Sequence, residues 1–480
     1  MKFDTFVNVI NNPASRYAIR RISNKKTKSG KNLLEQYFYC YFSGTVTDDM
    51  KSFLNYKTGS FNFIMNILGK TIREENKRYG FVFNKLEDTK FAVMNSKEIV
   101  FVLKAISKYG LNIPFISDPI CVNWSLTNEC NLRCIHCSQN AGQKIKDELT
   151  LEEKKDAIDN MVEAGCVYLI ISGGEPLMSK DFFEVAEYAK KVGLILRVTT
   201  NGTLINKSIA KKISEIGFDI VGISLDGVNK ETHEKIRGVK GSYEKSIEGI
   251  KNCLEENITL YVVPVLNNNN YNEVVELLEL LKSWGIKHVS FSDFIPGGRG
   301  KGCMNLELSP EIRYDIFLKI AKMSLEEKEI DLSVFSPIFT PIIKNIANES
   351  KNPDFVTTTN VGLYKEPFGT NVFFHKIYTN GCCVGRSTIA LDPNGDIKPC
   401  VYMDVVVGNT RKDKIMDVWK NSEIFKETRT REDLKGGCGS CKDKQICGGC
   451  RARAWFYFKD LNAPDPGCIK NVEYWNKIKR

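Results

Sequence analysis

The chain has 480 residues, of which 42% are apolar and 26% charged, with a net charge of +10. It is too long for one small core, and its length suggests about three domains. No apolar run approaches the roughly 18 residues that span a bilayer, and the N-terminus lacks the apolar stretch and cleavage site of a secretory signal, so a cytoplasmic location is expected. Its 16 cysteines are then not a disulfide framework, because the cytosol keeps thiols reduced. Thiolates there more often bind metal or react.

Residues 1–110 carry 19 Lys and Arg against 9 Asp and Glu, so this segment alone supplies the whole positive excess. Such a segment is either a solvated surface or a face for an acidic partner: a peptide, a nucleic acid, an anionic cofactor or a membrane. Residues 1–112 read as a basic α+β domain with no recognisable fold. Helices are expected around Asp48–Leu68 and Ser96–Tyr109, with a short hairpin of Tyr79–Phe83 and Lys90–Met94 between them. Ile113–Pro119, with two prolines, reads as a linker.

From residue 120 to 305 short apolar runs alternate with amphipathic stretches. The runs are Val122–Leu126, Val167–Ser172, Ile195–Thr200, Ile220–Leu225, Leu260–Leu266 and His288–Phe294. Helical patterns cover Leu151–Ala164, Asp181–Val192, Lys207–Ile216, Ser242–Glu255 and Tyr271–Trp284, the first opening on Thr150 and Glu153 at capping-box spacing. Parallel crossovers need helix-length connections, so the fold class is α/β: a parallel sheet with helices outside. Six units make a partial, open (β/α)6 barrel, whose site lies at the C-terminal strand ends. Residues 306–380 read as a bridge: a helix opening on Ser309-Pro310-Glu311, then an irregular linker over 330–380. Residues 381–480 are cysteine-rich with little periodicity, as expected of a small domain built around metal.

Cys130, Cys134 and Cys137 follow the first strand at Cys-x3-Cys-x2-Cys spacing. Three thiolates can close on one soft metal centre, but they leave one iron of a [4Fe–4S] cube open to a non-protein ligand. A zinc site that adds His136 is the competing reading. Ser172-Gly173-Gly174-Glu175-Pro176 follows the second strand. Its glycines allow close backbone approach, and Glu175 offers a carboxylate to an ammonium group. Thr199-Thr-Asn201-Gly202 follows the third strand and Ser224-Leu225-Asp226-Gly227 the fourth. Each puts small polar side chains at the barrel's top edge.

On these motifs residues 122–300 resemble the radical SAM superfamily. The resemblance implies that Cys130, Cys134 and Cys137 are the catalytic cysteines and hold a [4Fe–4S] cluster, with S-adenosylmethionine (SAM) chelating the open iron. It also implies that Gly173, Gly174, Glu175 and Pro176 hold the methionine end, with Asn201 at the same top edge and Ser224 and Asp226 near the ribose. The position before the third cysteine is often aromatic in that family; here it is His136.

The second concentration is Cys383-x11-Gly395-x4-Cys400, then Cys438-x2-Cys441-x5-Cys447-x2-Cys450, then Cys468. Paired zinc ribbons compete here too. The pattern resembles the SPASM extension, which binds two auxiliary clusters and would bring the total to three. By that resemblance Cys438, Cys441, Cys447 and Cys468 hold one, and Cys383, Cys400 and Cys450 the other. Cys382, another group or the substrate would complete the latter. Neighbours in an extended chain point oppositely, which sets Cys382 apart from Cys383. Cys40, Cys121, Cys166, Cys253 and Cys303 read as ordinary thiols.

Cys447-Gly-Gly-Cys450-Arg-Ala-Arg, Asp465-Pro-Gly-Cys468 and Pro296-Gly-Gly-Arg-Gly300 look most like enzymes that tailor anaerobic haem and quinone cofactors. Arg451 and Arg453 then either bind an anionic substrate or pair with acids and cluster sulfurs. The implied activity is an oxidoreductase or maturase. Reduced flavodoxin or ferredoxin supplies an electron, SAM is cleaved to a 5′-deoxyadenosyl radical, and the radical takes hydrogen from an unactivated C–H of a large substrate. A cofactor precursor or ribosomal peptide is expected first. A lipid chain is second, with the basic segment making peripheral contact with anionic headgroups. Nucleic acid ranks last, because the basic residues are not interleaved with an aromatic stacking platform. Outside enzymes, the alternative is a metal-stabilised scaffold.

Overall fold

The computed structural model describes residues 119–327, 329–349 and 381–479. The helices, hairpin and basic face expected within 1–112, together with Cys40 and residues 350–380, lie outside the described residues.

The barrel strands form where the apolar runs predicted them. They are β1 (Cys121–Ser125), β2 (Tyr168–Ser172), β3 (Ile195–Thr200), β4 (Ile220–Ile223), β5 (Leu260–Val262), β6 (Val265–Leu266) and β7 (His288–Asp293). The fifth run is split in two. Pro264 has no N–H for the ladder, so β5 pairs with β7 at Val262 and β6 pairs with it from Val265 onward. Between the strands lie α1 (Leu151–Glu163), α2 (Phe182–Lys191), α3 (Lys207–Ile216), α4 (Lys230–Arg237), α5 (Ser242–Glu255) and α6 (Val274–Ser283). Both bonds of the Thr150–Glu153 capping box form. The α4 helix is one the periodicity did not announce. Only eight residues long, it starts on an Asn229 cap and stops at Gly238 in the left-handed region.

Side chains alternate across each strand. Val122, Trp124, Leu169, Ile171, Leu196, Val198, Val221 and Ile223 belong to the large buried apolar cluster, together with residues of α1, α2 and α3. The intervening positions, among them Asn123, Ser125, Arg197 and Thr199, are consequently turned to the barrel interior.

The described strands form one sheet in the order β11-β10-β9-β1-β2-β3-β4-β5-β7-β6, with a further strand, β8, on β7. The chain reaches β8 (Asp331–Phe335) through α7 (Pro310–Glu326), whose Ser309 hydroxyl accepts from Ile312 N, and continues into α8 (Phe339–Glu349). β8 pairs in parallel with β7 from His288↔Asp331 to Ser292↔Phe335. Regular structure therefore replaces the irregular chain expected over 331–349. The five-residue Asp-Leu-Ser-Val-Phe carries only three apolar residues, too few for its period to stand out. At the opposite edge β9 (Thr388–Leu391) pairs in parallel with β1, and β10 (Asp396–Lys398) and β11 (Gly408–Asn409) extend the sheet antiparallel. Both edges of the open barrel are thus covered. The rest is α9 (Ile415–Asn421), α10 (Glu423–Arg429), α11 (Gly436–Gly439), α12 (Arg451–Phe458) and α13 (Val472–Ile478).

A buried ionic network fastens the cysteine-rich segment to the barrel. Arg453 meets Asp293 at 2.7 Å, Glu307 at 2.5 Å and Asp465 at 3.2 Å, while Arg313 meets Asp293 at 3.0 Å and Glu307 at 3.1 Å. All five side chains are at most 1% exposed. Arg453 therefore pairs with acids, as one of the two sequence readings had it. No helix among the described residues is long and apolar enough to cross a membrane.

Candidate active site

The loop between β1 and α1 carries the first three cysteines and is clamped from three sides. On the first, Gly174 N donates to Thr127 O at 2.8 Å and Glu175 N to Glu129 O at 2.7 Å. This contact explains both glycines. A Cβ on Gly174 would lie 2.2 Å from Glu129 O, and one on Gly173, whose φ is +138°, would lie 2.6 Å from Thr127 O. On the second, Arg133 N donates to Arg237 O and Ile135 N to Ile236 O, at the end of α4. On the third, Arg299 Nη1 donates to Cys134 O at 2.9 Å and Arg299 Nη2 to Ala141 O at 2.6 Å. The Pro296–Gly300 motif after β7 is thus a clasp on the loop.

Each of the three thiols receives a donor. Cys130 Sγ accepts from Leu132 N at 3.4 Å, Cys137 Sγ from Ala141 N at 3.4 Å, and Cys134 Sγ from Arg237 Nη1 at 3.8 Å. Burial pushes the Cys130 thiol up to about 11 and raises Cys134 as well, although Arg237 beside Cys134 opposes the rise. Burial would also raise the Asp226 carboxyl, but Arg237, then His136 and His233, hold it below its ordinary value. Burial pulls His136 down to about 4, so this side chain is a neutral imidazole at pH 7.

The three cysteines line a cavity of about 220 Å³ at the C-terminal strand ends. Gly173, Gly174, Asn201 and Ser224 line it too, as the sequence motifs anticipated. Glu175, Pro176 and Asp226 do not. Glu175 Oε1 accepts from Thr200 Oγ1 at 2.6 Å and from Leu177 N at 3.2 Å, and Oε2 accepts from Asn201 N at 2.8 Å. Its carboxylate is spent on joining the ends of β2 and β3, and burial raises its pKa despite those bonds. Asp226 lies behind the wall, 2.6 Å from Arg237 Nε, and accepts from Val265 N at 2.8 Å. It anchors the arginine that reaches Cys134.

Several wall residues carried no motif. Arg237 ends the unannounced α4; Ser292 and Asp293 end β7; Tyr402 follows Cys400 by two. Tyr402 Oη lies 3.4 Å from Ser292 Oγ, and Gln139 Nε2 donates to Val401 O at 2.9 Å. Tyr402, from the second cysteine region, thus joins the wall of the cavity that the first three cysteines line.

All 15 described cysteines are free thiols. Among the described residues no three His, Cys, Asp or Glu side chains converge on a single ion. In the second region Cys382 and Cys450 belong to one buried apolar group with Cys400 and Tyr402 packed against it. Cys383 is adjacent: burial, and then Cys382, push its thiol up to about 12. Near Cys438, Asp465 N and Asn471 Nδ2 each donate to its sulfur at 3.4 Å. Burial also lifts Cys468 to about 12.

The model of the radical SAM superfamily matches residues 124–281, and that of an iron–sulfur cluster-binding domain, SPASM, matches 382–450. An AdoMet-dependent heme synthase from Methanosarcina barkeri is 33% identical over 362 residues, 74% of this chain and 98% of the relative. The chain belongs to the radical SAM superfamily. As a radical SAM protein with a SPASM domain it is an enzyme that uses iron–sulfur clusters and SAM. Mycofactocin maturase MftC of Mycolicibacterium smegmatis is 27% identical, covering 73% of this chain and 83% of its own. SuiB of Streptococcus suis bound to its precursor peptide SuiA has the same fold, with a TM-score of 0.60 at 16% identity over 90% of this chain and 91% of its own. The zinc-ribbon and scaffold readings fall with this assignment.

The residues present fit the groups the superfamily implies. Three thiols with N–H donors face one cavity. Two buried polar atoms of residues in its wall, His136 Nδ1 and Arg237 Nη2, have no hydrogen-bond partner, as expected where a polar ligand completes the site.

Proposed function

We propose that this radical SAM enzyme carries out the oxidative maturation of a large substrate, a cofactor precursor ahead of a ribosomal peptide. Cys130, Cys134 and Cys137 would hold the SAM-binding cluster, with Gly173, Gly174, Asn201 and Ser224 against SAM. Glu175, Pro176 and Asp226 act as positioning residues. When bound, cluster and SAM supply a 5′-deoxyadenosyl radical that takes a hydrogen atom from the substrate. This chain's own residues hold the cysteine loop, exclude water and close the wall.

The observation that carries the reading is the shared cavity. The loop with the first three cysteines lines it, and so does Tyr402, two residues from Cys400 of the second cysteine region. A substrate bound there lies between the hydrogen-abstracting group and a second redox centre, which suits a net oxidation. The relatives named for heme synthesis support a cofactor precursor, and the maturase and peptide-bound SuiB support the peptide alternative.

Of the two auxiliary sites, Cys438, Cys441, Cys447 and Cys468 would form the outer one. For the inner one we propose Cys382 with Cys400 and Cys450. The iron–sulfur domain match begins at Cys382, and Cys382 shares its buried group with Cys450 and Cys400. Cys383, which the resemblance implied, is the alternative to Cys382 there.

Anaerobic reconstituted enzyme is given SAM and reductant with either a tetrapyrrole heme precursor or a leader-bearing peptide. Stimulated 5′-deoxyadenosine formation with deuterium transfer from the labelled precursor supports the reading. Stimulation by the peptide alone moves the substrate to the peptide class.

A further inference from the structure

The sequence left an anionic substrate to Arg451 and Arg453, but neither lines the cavity. Two other arginines do, Arg237 and Arg299. The charge of Arg237 is met by Asp226, 2.6 Å away, and the same guanidinium reaches the Cys134 sulfur. Asp293, the carboxylate of this wall, is already held by Arg313 and Arg453. Arg299 differs from all of these. It is half-buried, its two bonds go to the neutral carbonyls of Cys134 and Ala141, and among the described residues it makes no ion pair. A guanidinium carries five N–H donors, so these bonds leave its charge and most of its donors unspent. Its backbone is pinned on both sides. Gly298 lies in the left-handed region at φ +48°, where a Cβ would stand 2.5 Å from Ser138 O, and Gly300 N donates to Cys137 O at 3.3 Å. The arginine is therefore fixed on the cavity wall before a ligand arrives, which lowers the ordering cost of binding.

We propose that Arg299 is the specificity-determining residue for a carboxylate of the substrate, a side-chain carboxylate of a tetrapyrrole precursor. The inference rests on the reading that this cavity takes such a precursor beside SAM. SAM brings one carboxylate of its own, and the cation bonded to a cysteine of the first group is Arg237, whose buried Nη2 has no partner. Arg299 remains for a second anion. Its planar fork matches a carboxylate with two parallel N–H···O bonds, and in a cavity sheltered from water such a pair is stronger than at the surface. A precursor whose carboxylate is neutralised leaves the arginine's charge unmet, so the site discriminates against it.

The test is an anaerobic binding titration of the reconstituted full chain with SAM present, followed at the porphyrin Soret band. The probes are an iron porphyrin with free propionates and the same porphyrin as its neutral propionamide. Wild type should bind the acid at least about tenfold more tightly than the amide. Arg299→Gln should erase most of that preference by weakening the acid while leaving the amide within about twofold. Arg299→Lys keeps the charge but not the fork and should retain part of it. Because Arg299 also clasps the cysteine loop, iron content is measured for each variant. The acid–amide comparison in wild type stands whether or not the variants hold their iron. Equal affinity of wild type for the two probes, or equal weakening of both by Arg299→Gln, would overturn the proposal. Binding of neither porphyrin would instead overturn the reading on which it rests.

Discussion

Replacing Gly174 by alanine tests how the cysteine loop is held. The new Cβ would sit 2.2 Å from Glu129 O, 2.7 Å from Glu129 C and 2.8 Å from Asn128 O. All three are backbone atoms, so no side chain can swing aside. Relief requires the loop to move away and to lengthen the Gly174 N–Thr127 O and Glu175 N–Glu129 O bonds. Two lost backbone bonds cost about 2 kcal/mol net, and the overpacking adds about 1–3 kcal/mol. A total of about 3–5 kcal/mol is below the stability of most domains. The barrel should therefore stay folded while the loop's attachment weakens by a factor of about 10² or more. Far-ultraviolet circular dichroism should be unchanged and the melting temperature lower. Iron retained at the first cluster on dilution, and 5′-deoxyadenosine formation, should both fall at least tenfold. A variant with wild-type melting and full deoxyadenosine formation would refute the argument that this contact positions the loop.

Asp226→Asn leaves the buried Arg237 without its counter-charge and should cost about 3–5 kcal/mol, read by thermal denaturation. Because the folded Asp226 pKa lies below its ordinary value, its stabilisation is full above that ordinary value of about 3.9 and is lost as pH falls through the folded one. Wild type should accordingly lose an increment of stability in strong acid that the Asn variant lacks. Cys382→Ala should remove about four irons per chain and Cys383→Ala none, if Cys382 is the inner ligand. Elemental analysis decides, and the reverse result assigns Cys383. Arg453→Met leaves Asp293 and Glu307 with Arg313 alone, removes the guanidinium beside Asp465 and should cost more than about 3 kcal/mol in a denaturant titration. A loss under about 1 kcal/mol would mean that the network does not fasten the C-terminal segment.

The barrel was legible because its strands are continuous apolar runs separated by capped helices. Thr150 and Glu153 could announce α1 since a capping box is local. The short elements escaped: α4 and β8 carry too few apolar residues for a period to emerge, and it is α4 that delivers Arg237 to Cys134. Gly173, Asn201 and Ser224 of the motifs line the cavity, whereas Glu175 and Asp226 do not. A motif identifies a carboxylate without saying which neighbours bond its oxygens. Thr200, Asn201 N and Leu177 N take up Glu175; Arg237 and Val265 N take up Asp226. Tyr402, and the contact made by Arg299 of the Pro296–Gly300 motif, were beyond sequence reasoning for another reason. Both side chains are brought to the first cysteines by tertiary packing, from more than 150 positions away. Of the neighbours Cys382 and Cys383, it is Cys382 that shares a buried apolar group with Cys450.

The most direct test of the whole account is to measure iron, sulfide and 5′-deoxyadenosine on the anaerobically reconstituted full chain given SAM and dithionite. Roughly twelve irons per chain, matched by sulfide and accompanied by deoxyadenosine, are expected from three cubane clusters of which one cleaves SAM. Zinc in place of iron, with SAM intact, would contradict it.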